Sequence, residues 1–424
     1  MSRFLFATWE GGGHVQPMLL VAKGLIDQGH AALAISDACN AADAAALGVP
    51  FRPWRTAPCR ADRAPETDPL KDWLATSPGN VIHRLVEGVM CGPAGRYARD
   101  TAAAIEAFRP DVVVSQELLL GVMAGAEAKR RPLALLAANV WSLPTLNDAP
   151  PFGAGAPPAA DEATRGFYAA IRAATRLAYQ EGLPALNAAR AAMGLSPLAD
   201  VFDQLGAAGR ILLATSRAFD FDQAPPAPYR YVGPYLADPA WAGDWRPPWA
   251  AGDGRPLALV SFSSMYQAQE AALRRVIAAL GGMDVRGLVT LGPILRAEDF
   301  PAPPNVFVTP HAPHSRIFPE TAVMITHAGH ASTLRPLMAG APLVCLPLGR
   351  DQLDNAARVA ERGAGLRLPP DAAPDEIAAA VATILGDPRY KAAAQALGAR
   401  ITADWAARSA ELELAAFAAM ETVP

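Results

Sequence analysis

The stretch ITHAGHASTLRPLMAGAPLVCLPLGRDQLDNAARV, residues 325–359, leaves the chain few ways to fold. It continues the apolar run 322–325, which reads as a buried parallel strand. His327-Ala328-Gly329 makes a tight turn, and Ser332-Thr333 stand where a helix over 333–338 should begin. Gly340 and Pro342 stop that helix, and a second apolar strand over 343–346 leads to a loop carrying Asp351, Gln352 and Asn355. A glycine and two hydroxyls at a helix start just past a strand form an anion site. Free backbone N–H groups and the positive end of the helix dipole point at its occupant. His327 adds a donor, and Asp351 and Gln352 add the acceptors and donors that sugar hydroxyls need. An anion beside a sugar points to a nucleotide-sugar site.

The rest of the chain repeats the alternation. A strand over 4–8 runs into Glu10-Gly11-Gly12-Gly13-His14, a helix over 16–28 ends at Gly29, and a strand follows over 31–36. This is a Rossmann-like βαβ opening. The glycines do not complete GxGxxG, since Gln16 stands where the last glycine belongs. They clear space instead for a substrate approaching His14. Residues 50–85 are irregular and rich in proline. A helix over 94–108, a strand over 111–115, a helix over 120–129 and a strand over 133–137 continue the pattern. A Pro/Gly/Ala-rich loop spans 147–160, and 162–193 is helical by periodicity, with Phe167, Ile171, Leu177 and Leu186 available for one face. The last main strand of this half is expected over 211–215. Prolines, glycines and tryptophans replace periodic structure over 232–255, a semi-rigid linker. A fresh alternation starts at 257–264, ending on Ser263 and Ser264. A helix over 270–280, strands near 287–291 and 306–308, and helices over 374–385 and from Pro388 onward complete it.

Composition excludes several classes. A net charge of −4 gives no electrostatic case for nucleic acid. Cys39, Cys59, Cys91 and Cys345 are scattered with no CxxC, which argues against structural zinc and a disulfide scaffold. The pairs His311/His314 and His327/His330 are interrupted by Pro313 and Gly329 and lack HExxH, so no metal site is assigned. No stretch approaches the length of a membrane span, and the start lacks a signal-peptide core. A reduced cytoplasmic protein is expected, a monomer or homodimer without stable membrane insertion.

His-x-Gly-x-x-Ser-Thr, then Gly-x-Pro, then a proline-containing strand end and Asp-Gln, resembles the donor signature of GT-B glycosyltransferases of family 1, the UDP- and TDP-sugar enzymes of natural-product glycosylation. The resemblance implies an α/β chain of two Rossmann-like domains facing across a cleft. These are an acceptor-binding domain over 1–231, a linker over 232–255 and a donor-binding domain over 256–402. A last helix within 403–424 would cross back to the first domain. His14 matches the family's general base. The aspartate that orients that base has no counterpart: Gln116 takes its place, with Glu117 beside it. Either Glu117 takes the role, Gln116 orients the ring, or the base works unaided, and Glu117 is the preferred choice. His327, Gly329, His330, Ala331, Ser332 and Thr333 would cradle the diphosphate, with Ser263 and Ser264 as further contacts. Asp351 and Gln352 would hold the sugar, and His311 and Ala312 the nucleobase. Arg335 departs from the family, whose UDP-using members carry a ribose-binding glutamate there. An arginine cannot accept those hydrogen bonds.

These readings imply inverting transfer of a sugar, glucose or a deoxysugar, from a UDP- or TDP-sugar to a hydroxyl of an apolar small molecule, without cofactor or metal. Trp54, Trp73, Trp141, Phe152 and Phe167 are the candidate acceptor residues. A nucleotide-sugar epimerase or hydrolase on the same fold is the alternative enzyme, and a non-catalytic nucleotide-sugar-binding helper the alternative to an enzyme. A nicotinamide oxidoreductase is disfavoured by the missing GxGxxG.

Overall fold

A seven-stranded sheet and a six-stranded sheet, both parallel, carry the chain. The first holds β1 (Arg3–Ala7), β2 (Ala31–Ser36), β3 (Phe51–Pro53), β4 (Val112–Ser115), β5 (Leu133–Ala137), β6 (Arg210–Leu213) and β7 (Tyr229–Tyr231), in the order β3-β2-β1-β4-β5-β6-β7. The second holds β8 (Leu257–Ser261), β9 (Arg286–Thr290), β10 (Val306–Thr309), β11 (Thr321–Thr326), β12 (Leu343–Cys345) and β13 (Gly365–Arg367), in the order β10-β9-β8-β11-β12-β13. This computed structural model describes residues 1–147, 149–222, 225–238, 243, 245–250 and 252–421. Parts of the linker, of the 147–160 loop and of the C-terminal segment named above therefore lie outside the described residues.

Central strands such as β4 and β5 are buried on both faces, and so they read as continuous apolar runs. Alternate residues of β1 serve opposite cores. Leu5 and Ala7 pack with Trp54, Tyr97 and Leu120, whereas Phe4 and Phe6 pack with Met18 and Leu25 of the helix Val15–Asp27. The helix Ala410–Glu421 closes that second core, placing Leu414 and Phe417 against the first sheet's residues. Tyr235 Oη donates to Glu411 and accepts from Ala410 N at 2.9 Å.

Strand order reverses between β1 and β4 in one sheet and between β8 and β11 in the other. Ligands of open α/β sheets bind at such points, beyond the strands' carboxyl ends. The loops leaving β1, β4, β8, β11 and β12 all open on one cavity between the halves.

Several local readings change. Residues 50–85, read as irregular, hold β3 and the helix Pro78–Leu85, and Gln352 and Asn355, read as loop, lie in the helix Gln352–Glu361. The helix after β11 is His330–Met338, with Gly329 as N-cap. Ser332 and Thr333 thus lie inside its first turn, because Gly329 is already extended (φ −61°, ψ 152°) and leaves His330 free to begin the helix. The segment 162–193 breaks into Glu162–Tyr179 and Leu183–Ala192 at a 3-10 turn. β7 follows β6, so 211–215 is not the last strand of the first sheet.

Candidate active site

His14 ends the glycine loop after β1 as N-cap of the helix Val15–Asp27, its ring stacked on Trp9 with centroids 6.3 Å apart. Hydrogen bonds to and from Glu10 shape the loop. Glu10 Oε1 accepts Gly12 N at 3.0 Å, and Gly12 takes φ +88°, where a side chain would be strained. Burial and the nearby Arg350 guanidinium lower the His14 imidazole to about 4, so the ring is neutral at physiological pH.

Gln116, just past β4, places Nε2 3.4 Å from His14 Nδ1. Its Oε1 accepts Leu118 N at 2.8 Å. Glu117 does not reach His14 in this arrangement: its Oε1 lies 3.5 Å from Ser142 Oγ, and its Oε2 is buried without a hydrogen-bond partner. The preference for Glu117 as the partner of His14 is thus corrected. Neighbouring residues at a strand end point different ways, and Gln116 has the inward position.

Facing His14 across the cavity is the first turn of the helix His330–Met338. Gly329, His330, Ala331 and Ser332 line the cavity there. Thr333 does not. It is fully buried, its Oγ1 donating to Gly329 O at 3.0 Å, one face away from the cavity. His327 lines the cavity but lies folded over Gly329, where a Cβ would sit 2.5 Å from its Nε2. A side chain at 329 would force the His327 ring to move. The left-handed residue of the turn is Ala328, φ +65°. Burial and Arg350 lower His327 to about 3, against a hydrogen bond to the Ser261 backbone. Burial likewise lowers His330 to about 3, and its Nε2 lies 2.8 Å from Thr215 Oγ1 in the first half.

Asp351 and Gln352 line the cavity too. Asp351 accepts Asn355 Nδ2 at 2.7 Å and the His330 backbone N–H, and burial pushes its carboxyl up. Gln352 is more committed than the sequence suggests. Its Oε1 accepts Leu348 N and Gly349 N at 2.7 and 3.1 Å, and its Nε2 donates to Gln267. It shapes the loop before it can grip a ligand. Ser263, Ser264, His311 and Ala312 all line the cavity, Ser263 Oγ accepting Met265 N. His314 lines it as well, its Nε2 3.0 Å from Thr290 Oγ1. Arg335 pairs with Asp238, and its guanidinium lies 5.3 Å from the centroid of Phe318.

The acceptor side needs the largest correction. Of the five aromatics named from sequence, Phe152 lines the cavity. Trp54 is core, its Nε1 donating to Thr8 O, and Trp141 is core, its Nε1 donating to Thr145 Oγ1. Trp73 packs edge-on against Tyr266 of the second half, and Phe167 is 63% exposed. Leu70, Val81, Ile82, Leu85, Leu118 and Ile171 form the apolar wall instead, around a cavity of about 930 Å³. Aliphatic residues on short helices such as Pro78–Leu85 carried no signal that set them apart from core. Arg350 and Asp72 were also missed. They meet across 278 residues of chain, and no local pattern announces that.

Residues 274–416 match the family model described as Erythromycin biosynthesis protein CIII-like, C-terminal domain. The chain is 28% identical over 425 residues to 4'-demethylrebeccamycin synthase of Lentzea aerocolonigenes, covering 97% of each. Its fold is similar to that of the glycotransferase of kitacinnamycin (TM-score 0.76, 20% identity, 98% of each chain). It is also similar to glycosyltransferase VinC in complex with DTDP (TM-score 0.64, 18% identity, 99% of this chain and 100% of that one). With two Rossmann-like sheets meeting at one cavity and relatives of this kind along its length, the chain is a glycosyltransferase on the GT-B fold, similar to the family 1 glycosyltransferases of natural-product type.

Proposed function

We propose that the protein transfers a sugar, glucose or a deoxysugar, from a UDP- or TDP-sugar to a hydroxyl of an apolar small molecule, with inversion at the anomeric carbon. One observation carries this reading: His14 and the N-terminal turn of His330–Met338 face each other in a single cavity. The acceptor oxygen would lie beside His14 and the diphosphate at Gly329, Ala331 and Ser332.

As the bond to the anomeric carbon breaks, charge grows on the diphosphate. Helix N–H groups fixed in advance stabilise that charge without rearrangement. Ser263 and Ser264 close the diphosphate site from the loop after β8. Asp351 holds the sugar hydroxyls, while Gln352 keeps the loop 348–352 in shape for it. Attack from one side and departure from the other inverts the centre in a single displacement, and the helix turn meets the leaving charge without calling on a metal. His14 handles the acceptor hydroxyl, in the place the family gives to its base. The DTDP of VinC supports a thymidine diphosphate at the donor end.

The test is thermal shift with UDP, TDP, GDP and NAD, then transfer from the matching sugar nucleotide with and without acceptor. Stabilisation by UDP or TDP and acceptor-dependent product are expected. Stabilisation by NAD alone, or sugar release unaffected by any acceptor, would overturn the reading.

A further inference from the structure

We infer that His14 presents an N–H to the acceptor and not a lone pair, so the oxygen it serves arrives already ionised, as a phenolate or enolate. The inference rests on the glycosyl-transfer reading above and narrows its acceptor class.

Hydrogen-bond direction at Gln116 fixes the tautomer of His14. The Gln116 amide cannot be turned freely, because its Oε1 accepts the backbone N–H of Leu118 at 2.8 Å. That leaves the NH2 group, a donor only, against His14 Nδ1 at 3.4 Å. Nδ1 must then carry the lone pair, and the proton of the neutral ring sits on Nε2. A carboxylate at 116 would do the opposite, accepting from Nδ1–H and leaving Nε2 free to take a proton. Both forms that a general base needs, the Nδ1–H tautomer and the imidazolium, would set an N–H against the Gln116 N–H.

The other groups around His14 agree. Arg350, from the loop after β12, puts a positive field on the ring, and His330 faces it from the second half. Trp9 covers one face. A positive field and an N–H donor disfavour an imidazolium and favour an oxyanion in the same place. The acceptor hydroxyl gives its proton to solvent before it binds. Its electron pair then forms the new C–O bond to the anomeric carbon. The C–O bond to the diphosphate breaks, and the nucleoside diphosphate leaves with that pair. Gln116 is a positioning residue in this scheme and touches no substrate.

The test pairs a spectroscopic and a kinetic readout. In 15N-histidine-labelled protein, with His14 assigned by loss of its signals in His14→Gln, Nδ1 is expected to be pyridine-type and Nε2 pyrrole-type. Gln116→Glu, equal in length and still able to accept from Leu118 N, is expected to reverse them. With the sugar nucleotide that stabilises the protein, rates on a series of substituted 2-naphthols should level off at each naphthol's own pKa. Decahydro-2-naphthol, similar in size but not acidic, should react at least about 100-fold more slowly, the contribution of the missing base. Gln116→Glu should raise the rate on decahydro-2-naphthol at least about tenfold and make the pH limb the same for all acceptors. A pyrrole-type Nδ1 in the wild-type protein would overturn the inference. So would wild-type rates on the saturated alcohol matching those on the naphthols. If no acceptor of either kind is glycosylated and neither UDP nor TDP binds, glycosyl transfer itself fails, while the nitrogen shifts still decide the ring's tautomer.

Discussion

Arg350 of the second half and Asp72 of the first are joined by two hydrogen bonds across the cleft, Nε to Oδ2 at 2.6 Å and Nη2 to Oδ1 at 2.9 Å. Asp68 stands 3.9 Å from the same guanidinium, whose Nη1 also donates to Gly11 O at 3.4 Å. Burial alone would push the Asp72 carboxyl up, but the charge and hydrogen bonds of Arg350 hold it below its ordinary value. Burial first, and then the same cation, lower His14 and His327. One side chain thus fastens the two halves and adds to the effect of burial on the histidines between them.

This pairing makes the first prediction. Removing one partner strands the other in a poorly solvated place. Arg350→Gln and Asp72→Asn are each expected to cost about 2 kcal/mol, with a coupling of at least about 1 kcal/mol in a double-mutant cycle of urea midpoints. Costs that add to within about 0.5 kcal/mol would show that the contact carries no energy of its own. Because the folded-state pKa of Asp72 is depressed, its contribution is present at neutral pH. It is lost as pH falls through the unfolded value of 3.8 and then the lower folded one.

Glu117 gives a prediction of opposite sign. Burial pushes its carboxyl up to about 7, against hydrogen bonds from its own backbone and Ser142. The folded protein holds this proton up to about pH 7, whereas the unfolded chain releases it near 4.5. Stability contributed by the group therefore falls as pH rises through that window. The advantage of Glu117→Gln over wild type is expected to grow by about 3 kcal/mol between pH 4.5 and 8. Equilibrium unfolding at a series of pH values reads it directly, and a pH-independent difference would sink it. Transfer rates should change little, since Gln116 is the residue facing His14.

Gly329 and Ala328 separate space from backbone strain. A methyl at 329 meets the His327 ring, so Gly329→Ala is expected to cost about 1–3 kcal/mol. It should also weaken nucleoside diphosphate binding by displacing the turn. Ala328, at φ +65°, has the opposite expectation: Ala328→Gly relieves a left-handed side chain and should stabilise by up to about 1 kcal/mol. Calorimetric melting of both variants with and without UDP or TDP decides the matter. Two changes of the same sign would refute the distinction.

How much of this was legible depends on what kind of contact each residue makes. The sheets were legible because β4, β5 and β11 are buried on both faces and spell out unbroken apolar runs. The turn at 327–329 was legible because a glycine between an apolar strand and the next helical stretch marks a tight strand-to-helix turn. Trp54 and Trp141 misled because a core tryptophan with its indole N–H satisfied is indistinguishable in sequence from one lining a pocket. Phe167 and Leu177 misled for a different reason: periodicity gives a face but not whether anything covers it, and here they are 63% and 73% exposed. The choice between Gln116 and Glu117 turned on the direction in which a strand ends, which adjacent letters do not record.

Asp354 carries the last prediction, and it concerns the loop at 151–155 and the proposed acceptor site. Its carboxylate accepts Gly153 N at 2.6 Å and Gly155 N at 3.0 Å, while Arg367 Nη1 donates to Gly155 O at 2.6 Å. Gly153 and Gly155 take φ of +81° and +56°, so the loop can offer both N–H groups to one carboxylate only with glycine at these positions. Pro151 and Phe152, next to the latched glycines, line the cavity. Asp354→Ala leaves those N–H groups unpaired and should let Phe152 withdraw. The acceptor KM is expected to rise about tenfold, equivalent to 1.4 kcal/mol, with the donor KM unchanged. Burial raises the wild-type carboxyl to about 6 against the pull of Gly153, Arg358 and Gly155. A protonated carboxyl accepts less strongly than a carboxylate. The wild-type acceptor KM should therefore climb toward that of the variant as pH falls below about 6, while the variant's own KM shows no such inflection. Initial rates with each substrate varied in turn at saturating levels of the other test both statements. Equal rises in donor and acceptor KM would show that Asp354 supports the whole cleft and does not latch this loop.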